Sequence, residues 1–272
     1  MNIINIFLIY ILFYLLYKIF FLAPYFKCIK SRFGSIRSNN LKYEDFNEYK
    51  DFNENIDYFV IHIKNSNNKY KNIKKNEILL KKKINLYDAI IGKNINLNNL
   101  SLIDKNITFN FNYNYSGEIG CYLSHLLLIK SLIKSNKKYT VIFEDDFTIL
   151  DTQLDDKINK IINKLNSNFD IIYLGNLTNH HYEKIIDNIY TINKIDFLWG
   201  THAYIINNKS AKKIYDSLLN IDVSIDNKLK NNINNNIIKG YVIFPILVDQ
   251  NINDFNSDIR PQSIISVHNL II

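Results

Sequence analysis

A strand that ends in three consecutive carboxylates constrains this chain more than any other segment. The β-forming residues 139–143 are followed directly by Glu144, Asp145 and Asp146. Open α/β sheets bind their ligands at the edge where such strands end. Crowded carboxylates shift one another's pKa unless a cation neutralises them, and their oxygens suit Mg²⁺ or Mn²⁺ bound to a diphosphate. The segment therefore favours a metal–nucleotide site, with a solvated acidic turn as the alternative.

Apolar runs alternate with segments of helical periodicity along the chain. Strands are predicted at 58–63, 84–91, 170–175, 203–206 and 240–244, and helices at 116–135, 157–165 and 210–219. This alternation predicts an α/β fold with a mostly parallel central sheet. Glycine-rich phosphate loops of the P-loop or dinucleotide-binding kind are missing from the sequence.

The amino-terminal segment is almost wholly apolar over residues 3–23. It is long enough to cross a bilayer, which takes roughly 20 residues, and Pro24 ends it. We therefore expect a single-pass membrane anchor over 1–26 and a polar stem over 27–57, with a buried soluble helix as the alternative to the anchor. The rest of the chain, 58–272, has the length of one sizeable domain.

A net charge of +7 raises the question of anionic partners. The lysines are spread through polar loops rather than interleaved with aromatic residues, and no RNA-binding or helix-turn-helix motif is present. We therefore expect no nucleic-acid partner. The two cysteines, Cys28 and Cys121, match neither a disulfide framework nor a zinc motif.

Several sequence blocks stand together in one order along the chain. They read FVIHIK (59–64), GEIGCYLSHLLLIKSL (117–132), VIFEDD (141–146), FDIIYLG (169–175), GTHAYIINNKSAKKIY (200–215), IDVSID (221–226) and FPILVDQN (244–251) followed by SDI (257–259). This order resembles glycosyltransferase family 25. The combination of an EIGC-x-x-SH helix with an E-D-D strand end is specific, whereas either half alone is weak.

The resemblance implies a fold, an activity and a cofactor. The family includes lipopolysaccharide and lipooligosaccharide galactosyltransferases and collagen hydroxylysine galactosyltransferases. The expected fold is GT-A, in which 58–272 form a Rossmann-type nucleotide-sugar-binding domain. The expected reaction moves galactose, or next glucose, from a UDP-sugar to a hydroxyl of a glycan or a hydroxylated protein, with inversion at the sugar carbon and with Mn²⁺ or Mg²⁺ bound.

The side of the membrane on which such a domain would lie stays open. Lys27, Lys30, Arg32 and Arg37 follow the apolar segment, and nothing basic precedes it. The positive-inside rule then places the main domain in the cytoplasm. A Golgi-type enzyme would need the opposite orientation.

The resemblance gives the three carboxylates separate roles. Asp146 is the expected direct metal ligand, because a cation clamped to the departing diphosphate offsets its growing negative charge. Glu144 or Asp145 would hold the ribose or a metal-bound water, and Glu144 is also a candidate metal ligand. His268 is the candidate for a last metal contact, with Asp258 as its alternative.

One face of the helix at 116–135 carries four side chains at helical spacing: Glu118, Cys121, Tyr122 and His125. The functional interpretation places this face beside the donor, with Glu118 on it and with Ser124 and His125 bonded to the diphosphate or to the metal-site carboxylates. The alternative is a core helix whose histidine is satisfied by a neighbouring carboxylate.

Two further places are expected to meet the donor. Gly200, Thr201 and His202 precede a strand and form a turn whose amides and hydroxyl could contact the transferring sugar. The loop after the first strand lacks the arginines that are usual in the family, so Lys64 or Lys69 would supply a basic contact there.

An inverting transfer also needs a base that takes the proton of the acceptor hydroxyl. Asp226 is the first candidate and Asp222 the second, since both lie in the IDVSID block. The alternative is that Asp222 or Ser224 simply caps a helix.

The sequence is compatible with three functions: an anchored metal-dependent glycosyltransferase, a catalytically inactive relative that binds a glycan or a partner, and a basic membrane protein associated with nucleic acid. The intact carboxylates at 144–146 and 226 favour the first.

Overall fold

The structure is a computed structural model that describes residues 55–113, 115–177, 184–186, 189–191 and 199–251, together with Phe255 and Ile259. All of them lie in one compact unit, Tyr49–Ile272. The expected anchor over 1–26, most of the stem, Asp258 and His268 lie outside the described residues. Within the described part of the chain, each helix is too short or too polar to cross a bilayer.

The described strands follow one another from Ile56 to Gln250. They are β1 Ile56–His62, β2 Asn85–Asp88, β3 Thr108–Phe109, β4 Tyr139–Glu144, β5 Phe147–Ile149, β6 Ile171–Tyr173, β7 Lys184–Ile186, β8 Ile189–Thr191, β9 Ala203–Asn207, β10 Asn220–Ile221, β11 Gly240–Ile243 and β12 Val248–Gln250.

The described α-helices are α1 Asn67–Leu80, α2 Leu100–Ile103, α3 Ser116–Leu132, α4 Leu154–Lys164, α5 Ala211–Ser217 and α6 Ile225–Asn234. Short 3-10 turns lie at Gly92–Asn94, Leu97–Asn99 and Asn208–Ser210. Strands and helices alternate through most of the described residues, so the predicted α/β class is confirmed.

Eight strands form the central sheet in the order β2-β1-β4-β9-β6-β11-β8-β7. β1 runs parallel to β2 and β4, and β6 runs parallel to β11. β9 lies antiparallel between β4 and β6, and β8 is antiparallel to β11 and β7. The sheet is therefore mixed, and the expectation of a mostly parallel sheet was wrong. A run such as residues 203–206 predicts a buried strand but carries no information on its direction.

Helices cover both faces of the sheet. Buried side chains of α3, α5 and α6 pack in one apolar cluster, and those of α1 and α4 pack in another. β4 separates the two clusters, because Ile142 faces the first while Val141 and Phe143 face the second. The strand is thus buried on both sides, which is why its sequence is an unbroken apolar run.

The ends of three neighbouring strands meet at one edge of the sheet. Ile61 in β1 pairs with Glu144, the last residue of β4, and Phe143 pairs with Ala203, the first residue of β9. The acidic residues after β4 therefore lie between the end of β1 and the turn that leads into β9. This edge is where open α/β sheets bind ligands.

Candidate active site

Glu144 is held in place through one of its two carboxylate oxygens. Thr201 Oγ1 donates a hydrogen bond to Glu144 Oε1 over 2.6 Å, and His125 Nε2 lies 3.1 Å from the same oxygen. Burial alone would raise the pKa of Glu144, but the contacts with His125 and Thr201 hold it below its ordinary value. The carboxylate is therefore ionised at neutral pH.

His125 links Glu144 to a buried tyrosine. Its Nδ1 lies 2.7 Å from the hydroxyl of Tyr204 in β9, while its Nε2 faces Glu144. The imidazole is fully buried. A ring with a proton on Nε2 donates to Glu144 and accepts from Tyr204. His125 is thus a buried histidine satisfied by a carboxylate, and that carboxylate belongs to the acidic cluster itself.

Asp145 faces away from Glu144 and has protein partners on both oxygens. His62 Nδ1 and the backbone amide of Ile63 lie 3.1 and 3.0 Å from Asp145 Oδ2, and Lys69 Nζ lies 2.8 Å from Oδ1. Asp145 and Lys69 are both buried. These contacts tie the acidic turn to the end of β1 and to α1. They also place Lys69 in a buried ion pair, whereas Lys64 is exposed and pairs with Asp88.

Asp146 is held on one oxygen only. Gln250 Nε2 donates to Asp146 Oδ2 over 2.7 Å, because β12 pairs with β5 directly after the acidic turn. Asp146 Oδ1 is buried and has no hydrogen-bond partner among the described residues. Burial and the charge of Glu144 raise the pKa of Asp146 to about 7. A cation at this oxygen would relieve both costs, so the residues present fit a hard divalent cation.

Cys121 lies one helical turn before His125 on α3. The ligand atoms of Cys121, His125 and Glu144 all lie within 4.8 Å of one another. Burial, followed by the charges of Glu144 and Asp226, raises the pKa of the Cys121 thiol well above its ordinary value. The thiol is therefore protonated at neutral pH, and the carboxylates of α6 and β4 both lie near it.

Ser124 fixes the position of α3 instead of pointing to the sheet edge. Its Oγ donates to the carbonyl of Gly120 over 2.6 Å and accepts from the amide of Ile90 over 2.8 Å. A Cβ on Gly120 would lie only 2.5 Å from the carbonyl oxygen of Ile90 and 2.7 Å from the nitrogen of Gly92. The helix thus packs directly on backbone. Glu118 is buried in its first turn.

The turn before β9 is built around a positive backbone angle. Gly200 has φ of 91°, which favours glycine. Thr201 and His202 are buried, and neither ring nitrogen of His202 makes a well-formed hydrogen bond with a described residue. Burial lowers the pKa of His202. The turn contacts the acidic cluster through the hydrogen bond from the Thr201 hydroxyl to Glu144.

The two candidate bases, Asp222 and Asp226, differ in the hydrogen-bond and ion-pair partners of their carboxylate oxygens. Asp222 forms an ion pair with Lys228 over 2.8 Å and accepts from Asn220 over 3.0 Å, one partner for each oxygen. Among the described residues, Asp226 has partners at Oδ1 alone, which accepts from Ser224 Oγ over 2.5 Å and from the amide of Asn227 over 2.8 Å. Its second oxygen, in the first turn of α6, has no partner in that part of the chain.

Asp226 also lies near the acidic cluster. Its charge contributes to the raised pKa of both Cys121 and Tyr173. Tyr173 is buried, and its hydroxyl has no hydrogen-bond partner among the described residues. The structure therefore brings together Cys121, His125, Glu144, Asp146, Thr201 and Asp226 at one sheet edge, whereas Asp145 and Ser124 hold that edge to its neighbours.

The sequence alone gives no role to three polar residues near the site, Tyr173, Tyr204 and Gln250. A tyrosine inside an aliphatic strand signals a buried hydroxyl that needs a partner. No comparable signal exists for Gln250, because its contact depends on the pairing of two strands about a hundred residues apart.

Residues 55–229 match the profile described as glycosyltransferase family 25 (LPS biosynthesis protein). The chain belongs to glycosyltransferase family 25. The match covers more than half of the chain, so the family resemblance seen in the sequence blocks is confirmed.

Curated relatives of this family 25 chain carry the name procollagen galactosyltransferase. The human procollagen galactosyltransferase 2 is 25% identical over 142 residues, which are 48% of this chain and 22% of the relative. The Xenopus laevis procollagen galactosyltransferase 1-A is 22% identical over 220 residues, 76% of this chain and 34% of the relative. The match thus spans about a fifth to a third of the length of these relatives.

One solved structure among those that match is titled a glycosyltransferase involved in the glycosylation of the major capsid of PBCV-1. The likeness covers 59% of this chain and 64% of the other, with 6% identity and a TM-score of 0.34. Because the TM-score is this low, the α/β fold of the family 25 chain is assigned from its own strands and helices and not from this likeness.

Proposed function

We propose that this chain is a metal-dependent, inverting glycosyltransferase that moves a hexose from a UDP-sugar to a hydroxyl group. The observation that carries the proposal is the pair of carboxylates at the end of β4. Asp146 has a buried oxygen without a described partner, and the neighbouring Glu144 is ionised. Galactose is the first choice of sugar, because the curated relatives are named galactosyltransferases, and glucose is the next.

The proposed metal ligands are Asp146 and Glu144, with His268 as a further candidate. Mn²⁺ or Mg²⁺ bound there would supply positive charge that stabilises the departing diphosphate. Gln250 orients Asp146 by its bond to Oδ2, while His125 and Thr201 orient Glu144 by their bonds to Oε1. Within the part of the chain that the structure describes, each carboxylate is therefore fixed at one oxygen, and the other oxygen would bind the ion.

The proposed base is Asp226. Ser224 and the amide of Asn227 fix its Oδ1, so Oδ2 can accept the proton of an acceptor hydroxyl as that hydroxyl attacks. Asp222 remains the second candidate, because its ion pair with Lys228 would first have to open.

We further propose that the acceptor is a glycan or a hydroxylated protein. Glu118 and the turn 200–202 would contact the donor. Residues 1–26 would form a membrane anchor, on either side of which the main domain could lie.

The test is release of UDP from UDP-galactose and UDP-glucose, with an acceptor mixture, in the presence and absence of Mn²⁺. We expect Mn²⁺ to stimulate release and Asp146→Ala to lower the rate at least roughly a hundredfold, a loss of the size seen when one charge-stabilising group is removed. Asp216→Asn is the matched control, since Asp216 lies exposed on α5 and pairs only with Lys212 among described residues.

The variant Asp226→Asn separates the proposed role of a base from that of a metal ligand. We expect it to abolish transfer to the acceptor while Mn²⁺ and UDP still bind. If no donor releases UDP under any metal condition, the chain is a binding relative of the family and the enzymatic proposal fails.

A further inference from the structure

Cys121, His125 and Glu144 offer a different kind of ligand set from the carboxylate pair. They present a thiol, an imidazole nitrogen and a carboxylate oxygen whose ligand atoms lie within 4.8 Å of one another. Mg²⁺ and Mn²⁺ prefer oxygen ligands, whereas sulfur and imidazole nitrogen suit Zn²⁺ and its chemical relatives. This set therefore selects a softer cation than the one proposed for Asp146.

One of the three ligand distances matches that of a tetrahedral zinc site, and the two to the Cys121 sulfur are at most 4.8 Å. With Zn–N and Zn–O bonds of about 2.0–2.1 Å, two ligands of one tetrahedral ion lie roughly 3.3 Å apart. His125 Nε2 and Glu144 Oε1 are 3.1 Å apart. With a Zn–S bond of about 2.3 Å, the sulfur of a tetrahedral site lies roughly 3.5 Å from the other two ligand atoms. The sulfur of Cys121 lies at most 4.8 Å from them, so it has to approach them by about 1.3 Å at most.

The surroundings already orient these ligands. Histidines that bind a metal through one nitrogen hold the other by a hydrogen bond, and here Tyr204 Oη lies 2.7 Å from His125 Nδ1. Thr201 holds Glu144 by its 2.6 Å hydrogen bond. Cys121 and His125 are four residues apart on α3, so one helical face presents both.

We propose that Cys121, His125 and Glu144 form a binding site for a thiophilic divalent cation such as Zn²⁺, and that occupation of this site inhibits the enzyme. Binding converts the thiol to a metal-bound thiolate and releases one proton to solvent, with no change of oxidation state. The imidazole binds through Nε2, so its single proton moves from Nε2, where it faces Glu144 in the metal-free protein, to Nδ1, where the Tyr204 oxygen accepts it. Inhibition follows because Glu144 is taken from the Mn²⁺ site, and this second part rests on the proposed function.

The binding part is tested with Co²⁺ added to the full chain under reducing conditions. We expect a sulfur-to-cobalt charge-transfer absorption in the near ultraviolet that saturates at one ion per chain. Cys121→Ser should abolish the band, and Cys28→Ser, which removes the other cysteine of the sequence, should leave it unchanged. A wild-type titration without the band, or a band that survives Cys121→Ser, overturns the proposal.

Tyr204→Phe is the second variant, in case Cys121→Ser does not fold. It keeps all three ligands and removes only the partner of His125 Nδ1, so we expect the band to remain while Co²⁺ binds roughly 10–100-fold more weakly. Unchanged Co²⁺ affinity in this variant contradicts the assignment of His125 as a ligand.

The inhibition part is tested in the Mn²⁺-dependent UDP-release assay. We expect added Zn²⁺ to lower the wild-type rate, a chelator followed by fresh Mn²⁺ to restore it, and Cys121→Ser to lose the sensitivity to Zn²⁺ relative to its own rate. Turnover that is insensitive to Zn²⁺ while Co²⁺ binds at Cys121 overturns the inhibition alone. Absence of turnover with every donor refutes the proposed function, and the cobalt titration still decides the site.

Discussion

Asp145 and Asp146 are adjacent in the sequence, but the fold treats their carboxylates in opposite ways. Asp145 has three protein contacts, from His62, Ile63 and Lys69. Asp146 has one, from Gln250, and keeps a buried oxygen without a described partner. The difference arises because the strand ends at Glu144, so the next two side chains point to different neighbours. This is why Asp146, and not Asp145, is the stronger candidate for a metal ligand.

The side chain of Gln250 should affect the affinity for the metal and not the stability of the fold. Gln250→Ala removes the 2.7 Å hydrogen bond to Asp146 Oδ2 and leaves the carboxylate free to rotate. We expect the Mn²⁺ concentration for half-maximal turnover to rise roughly 10–100-fold, as is common when a partner of a metal ligand is lost. Gln153→Ala, at an exposed position before α4, is the control and should leave that concentration unchanged. Equal metal dependence in both variants would contradict the role given to Gln250.

When no metal is bound, the ionised carboxylate of Asp146 should lower the free energy of unfolding. Its pKa is raised from 3.8 to about 7 by burial and by Glu144. A carboxyl whose pKa is raised by folding contributes its full stability below the ordinary value and loses it as the pH rises through the folded value. With chelator present, we therefore expect Asp146→Asn to increase the free energy of unfolding by roughly 1–3 kcal/mol at pH 8 and to change it little near pH 4.

Urea unfolding of wild type and Asp146→Asn at these two pH values measures the difference. Asp216→Asn, on the exposed face of α5, should show no such pH-dependent gain. A variant that is less stable than wild type at pH 8 in chelator would show that the Asp146 carboxylate is not crowded in the folded state.

At the scale of elements, the site depends on how closely α3 approaches the turn after β2. Gly120 packs against the backbone of Ile90 and Gly92, and Ser124 bonds to both Gly120 and Ile90. The same helix carries Cys121 and His125. The position of two site residues is therefore set by a contact that only glycine permits.

Gly120→Ala tests this contact. Alanine favours a helix over glycine by about 1 kcal/mol, but its Cβ would meet backbone atoms at 2.5 and 2.7 Å, so the helix must shift. We expect a net loss of about 1–2 kcal/mol in the free energy of unfolding and a lower rate of UDP release. Ser131→Ala, at an exposed position of α3, should change stability by less than about 0.5 kcal/mol. A Gly120→Ala variant as stable as wild type would mean that the helix has room to move.

At the scale of the whole molecule, the sequence predicts those strands and helices that have long apolar runs or a long helical periodicity. β1, β4, β6 and β9 are apolar runs, and α3 has a long helical period, so their positions were predicted to within a few residues. The direction of β9 was not, because burial on both faces looks the same in either direction.

The same reasoning explains what could be predicted of the site. The position of Glu144 and Asp146 at the end of a core strand followed from local sequence. The partners that decide their chemistry did not, because β5 and β12 are three residues each and show no periodicity. The contact of Gln250 with Asp146 and that of Tyr204 with His125 depend on how the strands pair in the sheet, and the local sequence does not give that pairing.

The nucleotide preference of the whole chain can be tested without knowing the acceptor. A ligand that binds the folded state alone raises its stability, by about 2.7 kcal/mol at a hundred times its dissociation constant. We expect UDP with Mn²⁺ to raise the melting temperature of wild type by several degrees, and GDP or CDP at the same concentration to raise it much less. Asp146→Ala should lose most of the Mn²⁺-dependent part while it still melts cooperatively. An equal rise with every nucleoside diphosphate, unaffected by Asp146→Ala, would show that the chain binds phosphate through its basic surface and not through the carboxylates at the end of β4.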